Sequence, residues 1–185
     1  MKAEQAHDIG AGVHQGTIKS IVWTADPNVL ITAADDKKIR WWDLRTRSVV
    51  EEQDVQGEIG SCEFTNVKPE PNDIGGGLPV LTIAAGKTVY FYGGPYATTL
   101  LKKIELGYDV ASVALHPSQR KFVTGGVKDT WAKVYDYDTA EEIGTLALDL
   151  GVHFALIHSR RPQRSSWSNL EHQLLPGWEA LRDWQ

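Results

Sequence analysis

Short apolar runs separated by turn residues cover the chain as far as about residue 146. Each run is four to eight residues long, rich in Val, Ile, Thr and aromatic residues, and bounded by Gly, Pro, Asn or Asp. Such runs are typical of β-strands, and no sustained apolar period of about 3.6 residues indicates a helix among them. The pattern predicts strands at 18–23, 29–33, 39–44, 48–54, 59–65, 79–84, 88–92, 99–106, 110–115, 121–124, 131–136 and 141–146.

An internal repeat orders these strands. The segments NVLITAADDKKIRWWDL, PVLTIAAGKTVYFYGG and KFVTGGVKDTWAKVYDYD each join a strand, small residues and a turn residue to a second strand. An aromatic residue follows the turn residue by six positions, in the pairs Asp36 with Trp42, Gly86 with Tyr92, and Asp129 with Tyr135. The aromatic recurs after 50 and then 43 residues, and the loop 67–78 lengthens the first step. A four-stranded unit that repeats every 40 to 45 residues or so is typical of β-propeller blades.

The residues of these repeats resemble a known family. ITAADDKKIRWWDL resembles the end of a WD repeat, and GVHQGTIKSIVW resembles its glycine-histidine opening. The stretch 12–145, roughly 70% of the chain, more specifically resembles the serine/threonine kinase receptor-associated proteins, whose propellers have about seven blades. The resemblance implies an all-β fold, a WD-repeat β-propeller fragment of about three four-stranded antiparallel blades from a seven-bladed parent.

The resemblance also implies a buried hydrogen-bond network in the first blade, formed by His14, Thr32, Asp36 and Trp42. The chemistry suits these residues, because the indole nitrogen of Trp42 can only donate and needs an acceptor such as the hydroxyl of Thr32. Asp36, in a tight turn, can hold the imidazole of His14 in one tautomer. A fully satisfied buried network fixes how the opening segment docks on the strands, whereas a half-satisfied network costs stability.

The other two blades keep less of this network. The third has Asp129 and Tyr135 but no histidine in the stretch 105–110, so its network is expected to be incomplete. In the second, Gly86 and Tyr92 replace the aspartate and tryptophan, and the network is expected to be lost.

The same residues could be interpreted as a catalytic Asp-His-hydroxyl triad, which would make the chain a hydrolase on another β fold. The structural interpretation is favoured, because the spacing is that of the repeat. The sequence predicts no catalytic residues, no cofactor and no metal site. Cys62 is the only cysteine, and Gly75, Gly76 and Gly77 are expected in a surface loop, since they open no helix that could cradle a phosphate.

Net charge and hydropathy limit the kinds of partner that the chain is expected to bind. A net charge of −5 argues against direct nucleic-acid binding, and no apolar run approaches the roughly 20 residues that span a bilayer. The first residues lack the apolar stretch of a secretory signal. We expect a non-enzymatic scaffold that binds other proteins through propeller faces and loops, in the cytoplasm and also the nucleus.

The last part of the chain changes in character. The expected domains are an N-terminal extension at 1–11, three blades at 12–146 and an aberrant tail at 147–185. One interpretation of the tail is an amphipathic helix at 169–184. The other is an out-of-frame translation entered through a retained intron. With permitted codons, 163–185 shifted by one base reads KGHHGPIWSISFSPDGKRYGTGS, which resembles the opening of another WD repeat.

Two function hypotheses within the scaffold class remain open. Resemblance to the receptor-associated family implies work with the survival-of-motor-neuron complex in small nuclear ribonucleoprotein assembly and splicing, and in receptor signalling. The alternative is the WD-repeat subunit of eukaryotic translation initiation factor three, which has a similar repeat pattern.

Overall fold

The computed structural model describes Gly10 and residues 12–65, 70–128 and 130–147. Twelve strands lie where the apolar runs predict them: β1 Ile18–Trp23, β2 Val29–Ala34, β3 Lys38–Asp43, β4 Ser48–Asp54, β5 Ile59–Phe64, β6 Leu81–Ala85, β7 Thr88–Gly93, β8 Thr99–Glu105, β9 Val110–His116, β10 Lys121–Gly126, β11 Trp131–Asp136 and β12 Glu142–Ala147. The predictions for Asp129 and for the tail beyond residue 147 fall outside the described residues.

The strands form three four-stranded antiparallel sheets, each a meander of consecutive strands. The first sheet contains β1 to β4, the second β5 to β8 and the third β9 to β12. The repeat seen in the sequence is therefore a repeat of structure, and the all-β, three-blade prediction is confirmed.

The register places the repeated aromatic residues at equivalent positions. Trp42 pairs with Leu30 in the first sheet, and Tyr135 pairs with Phe122 in the third. Because successive side chains of a strand point to opposite faces, Trp41 and Trp42 lie on different faces of the first sheet.

Two apolar cores join neighbouring sheets. The core between the first and second sheets contains Ile31, Ile39 and Trp41 from one side and Leu81, Ile83 and Tyr92 from the other. The core between the second and third sheets is aromatic: the ring of Phe91 meets Phe122 edge-on at 5.3 Å between centroids and Tyr137 at 5.0 Å. Aromatic pairs in this geometry add to the stabilisation from burial.

Hydrogen bonds reinforce both junctions near the outer strands. The indole nitrogen of Trp41 donates to the carbonyl of Tyr96 at 2.9 Å, and the side-chain amide of Gln53 donates to the carbonyl of Thr98 at 2.8 Å. At the next junction, Lys102 Nζ donates to the carbonyl of Tyr137 at 2.6 Å. These contacts hold each sheet against the turn of its neighbour.

The Gly-rich segment folds as a turn around Asp73, which is buried. Its carboxylate accepts hydrogen bonds from the backbone of Glu70, Gly75 and Gly77 at 2.8 to 3.2 Å. Across the described ranges, no helix is long and apolar enough to cross a membrane.

Candidate functional site

The turn between β2 and β3 positions Asp36. Lys37 has a φ of 62° there, and its amide donates to the carbonyl of Ala34 at 3.0 Å. One carboxylate oxygen of Asp36 accepts from the amide of Lys38 at 3.2 Å, and the other accepts from the amide of Gln15 at 3.1 Å. Asp36 therefore ties the segment before β1 to the turn.

The structure brings the four first-blade residues of the sequence analysis together. Trp42 Nε1 donates to Thr32 Oγ1 at 2.8 Å, and Thr32 Oγ1 lies 2.6 Å from His14 Nε2. His14 Nδ1 lies 3.1 Å from an oxygen of Asp36. Trp42 and Thr32 are both 4% exposed, so the chain of bonds is withdrawn from solvent.

The two ends of this chain of bonds fix its directions. The Trp42 indole can only donate, so Thr32 Oγ1 accepts its proton. The carboxylate of Asp36 can only accept, so His14 Nδ1 carries the proton donated to it, and His14 Nε2 accepts the hydroxyl proton of Thr32. The arrangement satisfies all four side chains and leaves the imidazole in one tautomer.

Arg40 is a fifth member that the sequence analysis missed. Its side chain is buried, and its Nη1 donates to Asp36 at 2.7 Å while its Nε donates to Glu52 at 2.7 Å. Arg40 Nη1 also lies against His14 Nδ1. The available signal was its position, two residues before Trp42 on the same face of β3.

These partners set the charge of Asp36. Burial alone would raise the pKa of its carboxyl group, but hydrogen bonds from Arg40 and from the Gln15 amide outweigh burial and hold that pKa well below its usual range. Asp36 is therefore ionised, and the buried guanidinium beside it is paired.

A glycine lets the opening segment cover Trp42. A side chain at Gly10 would place its Cβ 2.2 Å from the Trp42 ring, and the φ of Gly10 is 69°. Gly10 belongs to the predicted N-terminal extension at 1–11, yet it packs directly on the network. A cavity of about 350 Å³ adjoins the network and is lined by glycines and mainly apolar side chains: Gly10, Gly12, His14, Gly16, Ile18, Ile21, Leu30, Thr32 and Trp42.

The third blade has a different network from the expected one. Tyr108, just before β9, contacts Thr124 as His14 contacts Thr32: its hydroxyl is 2.5 Å from Thr124 Oγ1 and 3.1 Å from the Tyr135 hydroxyl. Thr124 stands in the register position of Thr32, so a tyrosine replaces the histidine. The stretch 105–110 thus supplies a phenol, which can both donate and accept, where the sequence prediction noted only the missing histidine; Asp129 lies outside the described residues.

Burial raises the pKa of the Tyr135 hydroxyl group, and the hydrogen bond with Tyr108 raises it further. Lys133 Nζ lies 4.4 Å from the centre of the Tyr108 ring, a cation–π contact that helps to cover the pair.

In the second blade, an apolar residue takes the central position. Tyr92 pairs with Leu81, so Ile83 has the register position of Thr32 and offers no hydroxyl group. The turn is shorter and contains Gly86. Tyr92 is buried in the first core, and burial raises its pKa to about 12.

The first-blade geometry resembles a triad but is poorly suited to catalysis. Thr32 Oγ1, which would be the nucleophile, already accepts the Trp42 proton and is buried. Asp36 is shared with the guanidinium of Arg40. In the part of the chain that the structure describes, His, Cys, Asp and Glu side chains do not gather in threes as a metal site.

Comparisons with known proteins agree with this geometry. The family model described as WD domain, G-beta repeat matches residues 12–43. The structure of U3-55K superposes with a TM-score of 0.55 at 15% identity, covering 72% of this chain and 40% of that chain. The WD40 repeats of RRP9 give 0.55 at 16% identity, covering 72% and 39%. The three sheets are blades of a WD40 β-propeller.

Curated relatives narrow the similarity further. The chain is 33% identical over 162 residues to the serine-threonine kinase receptor-associated protein of Gallus gallus, covering 86% of this chain and 41% of that protein. The Dictyostelium discoideum protein of the same name is 32% identical over 131 residues, covering 70% and 40%. The chain thus contains a WD repeat and is similar to serine-threonine kinase receptor-associated proteins over most of its own length, and it spans about two fifths of theirs.

Proposed function

We propose that the chain acts as a protein-binding scaffold and not as an enzyme. The observation that carries the proposal is the Trp42 to Thr32 hydrogen bond, which commits the hydroxyl group of the triad-like set to holding the blade together. What the blades leave accessible is strand faces, turns and loops, and these are surfaces for macromolecular contact.

The partner class follows from the resemblance. The names of the curated relatives describe association with a serine-threonine kinase receptor. We propose for this chain an adaptor role with the survival-of-motor-neuron complex in small nuclear ribonucleoprotein assembly, and in receptor signalling. The proposed location is the cytoplasm together with the nucleus. The net charge of −5 favours protein partners over nucleic acid.

To test this, binding of purified survival-of-motor-neuron complex and of purified initiation factor three to the immobilised full chain is measured separately. Saturable binding of the first, competed by the Gallus gallus relative, is the expected result. Binding of the initiation factor alone would overturn the adaptor role and favour the alternative subunit. The urea-unfolded chain is the control for non-specific capture.

A His14→Ala variant separates scaffold from hydrolase. We expect it to unfold at lower urea concentration than the wild type, because Asp36 and Thr32 lose a buried partner. Neither protein should hydrolyse a panel of activated esters. Turnover by the wild type that the variant lacks would contradict the scaffold proposal.

A further inference from the structure

A second cavity, of about 330 Å³, opens between the first and second sheets near the hairpins of their outer strands. Its wall is mainly apolar, with Val29, Trp41 and Val50 from the first sheet and Tyr96 from the turn between β7 and β8. Trp41 is buried, whereas Val50 is 55% exposed and Tyr96 is 48% exposed. The cavity lies between two described sheets that already pack on each other, so a further blade against the first or third sheet would not cover it.

The junction between the second and third sheets is closed by its own side chains. The ring of Tyr137 packs edge-on against Phe91, and Tyr137 is only 7% exposed. Lys102 Nζ lies 5.0 Å from the centre of the Tyr137 ring and donates to the carbonyls of Tyr137 and Asp138. An aromatic ring covered by a cation therefore completes this junction.

The first junction lacks the equivalent ring. In the third sheet, Tyr137 comes two residues after Tyr135 and lies on the same face. The residue two positions after Tyr92 in the second sheet is Gly94, which has no side chain to place against Trp41.

The first junction also lacks the equivalent cation. Phe91 pairs with Lys102 across the second sheet, and Trp41, at the same register position in the first sheet, pairs with Glu51. Glu51 lines the cavity. A carboxylate thus replaces the ammonium group at this position.

The other two charges at the cavity neutralise each other. Arg45 and Asp43 both line it, and the Nε and Nη2 of Arg45 donate to the Asp43 carboxylate at 3.2 and 3.3 Å. Glu51 is exposed and pairs with no cation among the described residues. The cavity therefore combines an apolar wall with one unpaired negative charge.

A loop gives a second difference between the junctions. In the second sheet, Ile74 from the connection between β5 and β6 packs on the core that contains Val80. Val29 has the register position of Val80, but the connection between β1 and β2 is only 24–28 and contains no branched aliphatic residue. Val29 lines the cavity instead.

We propose that this cavity binds an aromatic side chain of a partner protein, in a segment where a lysine or arginine lies next to the aromatic residue. The partner's ring packs on Trp41 as Tyr137 packs on Phe91, and its cation pairs with Glu51. A volume near the lower end of the roughly 300–1,000 Å³ of ligand pockets suits a single side chain. The inference rests on the proposed scaffold function and identifies a segment that the scaffold recognises.

Three peptides with blocked ends test this: GSFRSG, GSARSG and GSFESG. The readout is the indole N–H resonance of Trp41 in the full chain labelled with ¹⁵N-tryptophan, because that group donates to the Tyr96 carbonyl at the cavity. GSFRSG should shift this resonance saturably and leave that of Trp23 unchanged. GSARSG should cause no shift, and GSFESG should bind about threefold or more weakly, because its carboxylate meets Glu51.

Two variants locate the site. Tyr96→Ala should weaken binding of GSFRSG by about tenfold, because it removes part of the wall. Glu51→Lys should weaken it by about threefold and should reverse the preference between GSFRSG and GSFESG. Circular dichroism checks that each variant is folded, and Val50→Asp replaces Tyr96→Ala if that variant is not.

Matched controls remove similar groups away from the cavity. Ile143→Ala removes an apolar side chain that is 51% exposed on β12, and Glu105→Lys reverses an exposed charge on β8. Both should bind GSFRSG as the wild type does.

Three results would overturn the proposal. One is a Trp41 resonance that GSFRSG does not shift, and another is equal binding of GSARSG and GSFRSG. The third is self-association of the chain in sedimentation velocity that Tyr96→Ala abolishes, since the occupant is then a second copy.

The outcome is separable from that of the proposed function. Binding of the survival-of-motor-neuron complex without binding of GSFRSG would refute the cavity site and leave the scaffold function standing. Binding of GSFRSG without binding of the complex would support the cavity site and refute the named partner.

Discussion

At the scale of single residues, Trp42 combines burial with a hydrogen bond that only one orientation of its ring allows. Its indole nitrogen reaches Thr32 Oγ1, and its ring covers the space that a side chain at Gly10 would need. Thr32 Oγ1 therefore accepts from Trp42 on one side and contacts His14 Nε2 on the other.

Replacing Trp42 by phenylalanine should lower the free energy of unfolding by about 1–3 kcal/mol, because Thr32 loses its donor while much of the apolar area remains. Urea denaturation of the full chain measures the change. Trp23→Phe, at a mostly exposed position, is the matched control and should change stability by less than about 0.5 kcal/mol. Equal effects at the two tryptophans would contradict the network argument.

Asp36 makes the stability of the folded chain depend on pH. Its pKa in the folded chain lies below the unfolded value of about 3.9, so its contribution is complete above that value and is lost as pH falls through the folded pKa. Asp36→Asn should therefore be less stable at pH 7 and should show a shallower loss of stability below about pH 4. Denaturation at a series of pH values tests this. Trp42→Phe is the control, since it lowers stability but keeps the carboxylate.

At the scale of elements, the strand pattern could be predicted because each strand has one face in a core. The observed strand bounds differ from the predicted ones where the pattern of side chains does not indicate pairing. Pro79 lies before β6, since proline has no amide to donate to the ladder. Gly125 and Gly126 extend β10 through backbone pairing, which apolar periodicity does not detect.

The polar networks could be predicted only in part. Residue spacing and resemblance pointed to His14 and Trp42 because the spacing is local to one repeat. Arg40 looks like an ordinary strand cation, and its burial depends on Glu52 from the next strand. Tyr108 lies in a connection, and its role depends on Tyr135, which is 27 residues away. Such partners are set by tertiary packing and have no signal in a local pattern.

A double-mutant cycle tests the tyrosine network of the third blade. Tyr108→Phe and Tyr135→Phe should each lower the free energy of unfolding by about 1 kcal/mol, because each removes a buried hydrogen bond. The double variant should cost about 0.5 kcal/mol or more less than the sum, since both changes remove the same bond. Additive effects in urea denaturation would show that the two hydroxyl groups act independently.

At the scale of the whole described molecule, the distance between sheets is set by small residues on the inner strands. A Cβ at Gly60 in β5 would lie 2.5 Å from the carbonyl oxygen of Ala111 and 2.8 Å from that of Val110 in β9. Contacts this short with backbone cannot be relieved by a side-chain rotation. The second and third sheets therefore approach as closely as they do because Gly60 has no side chain.

Gly60→Ala should lower the free energy of unfolding by about 1–3 kcal/mol through overpacking of this junction. Thermal and urea denaturation measure the change. Gly107→Ala is the matched control, because a Cβ there meets nothing within 4 Å. A Gly60 variant as stable as the control would mean that the two sheets can separate without cost.

Glu63 makes the stability of the junction between the second and third sheets fall as pH rises, which is opposite to the pH dependence that Asp36 causes. Burial raises the pKa of its carboxyl to about 7, and its Oε2 has no hydrogen-bond partner in the described part of the chain. The folded pKa exceeds the unfolded value of about 4.3, so below that value the Glu63 carboxyl is neutral and its burial does not lower stability. As pH rises to about 7 the carboxyl ionises, and the junction loses stability. The charge of Glu63 therefore opposes close packing at neutral pH.

Glu63→Gln should be more stable than the wild type by about 2 kcal/mol at pH 8, because the amide cannot ionise, and the two should converge near pH 4. Urea denaturation at the two pH values measures the difference. Glu51→Gln, at an exposed position of β4, is the control and should stay within about 0.5 kcal/mol of the wild type at both. A Glu63 variant with no advantage at pH 8 would mean that the carboxylate finds a partner or water in the folded chain. The junction between the second and third sheets would then be looser around β5 than the close approach at Gly60 indicates.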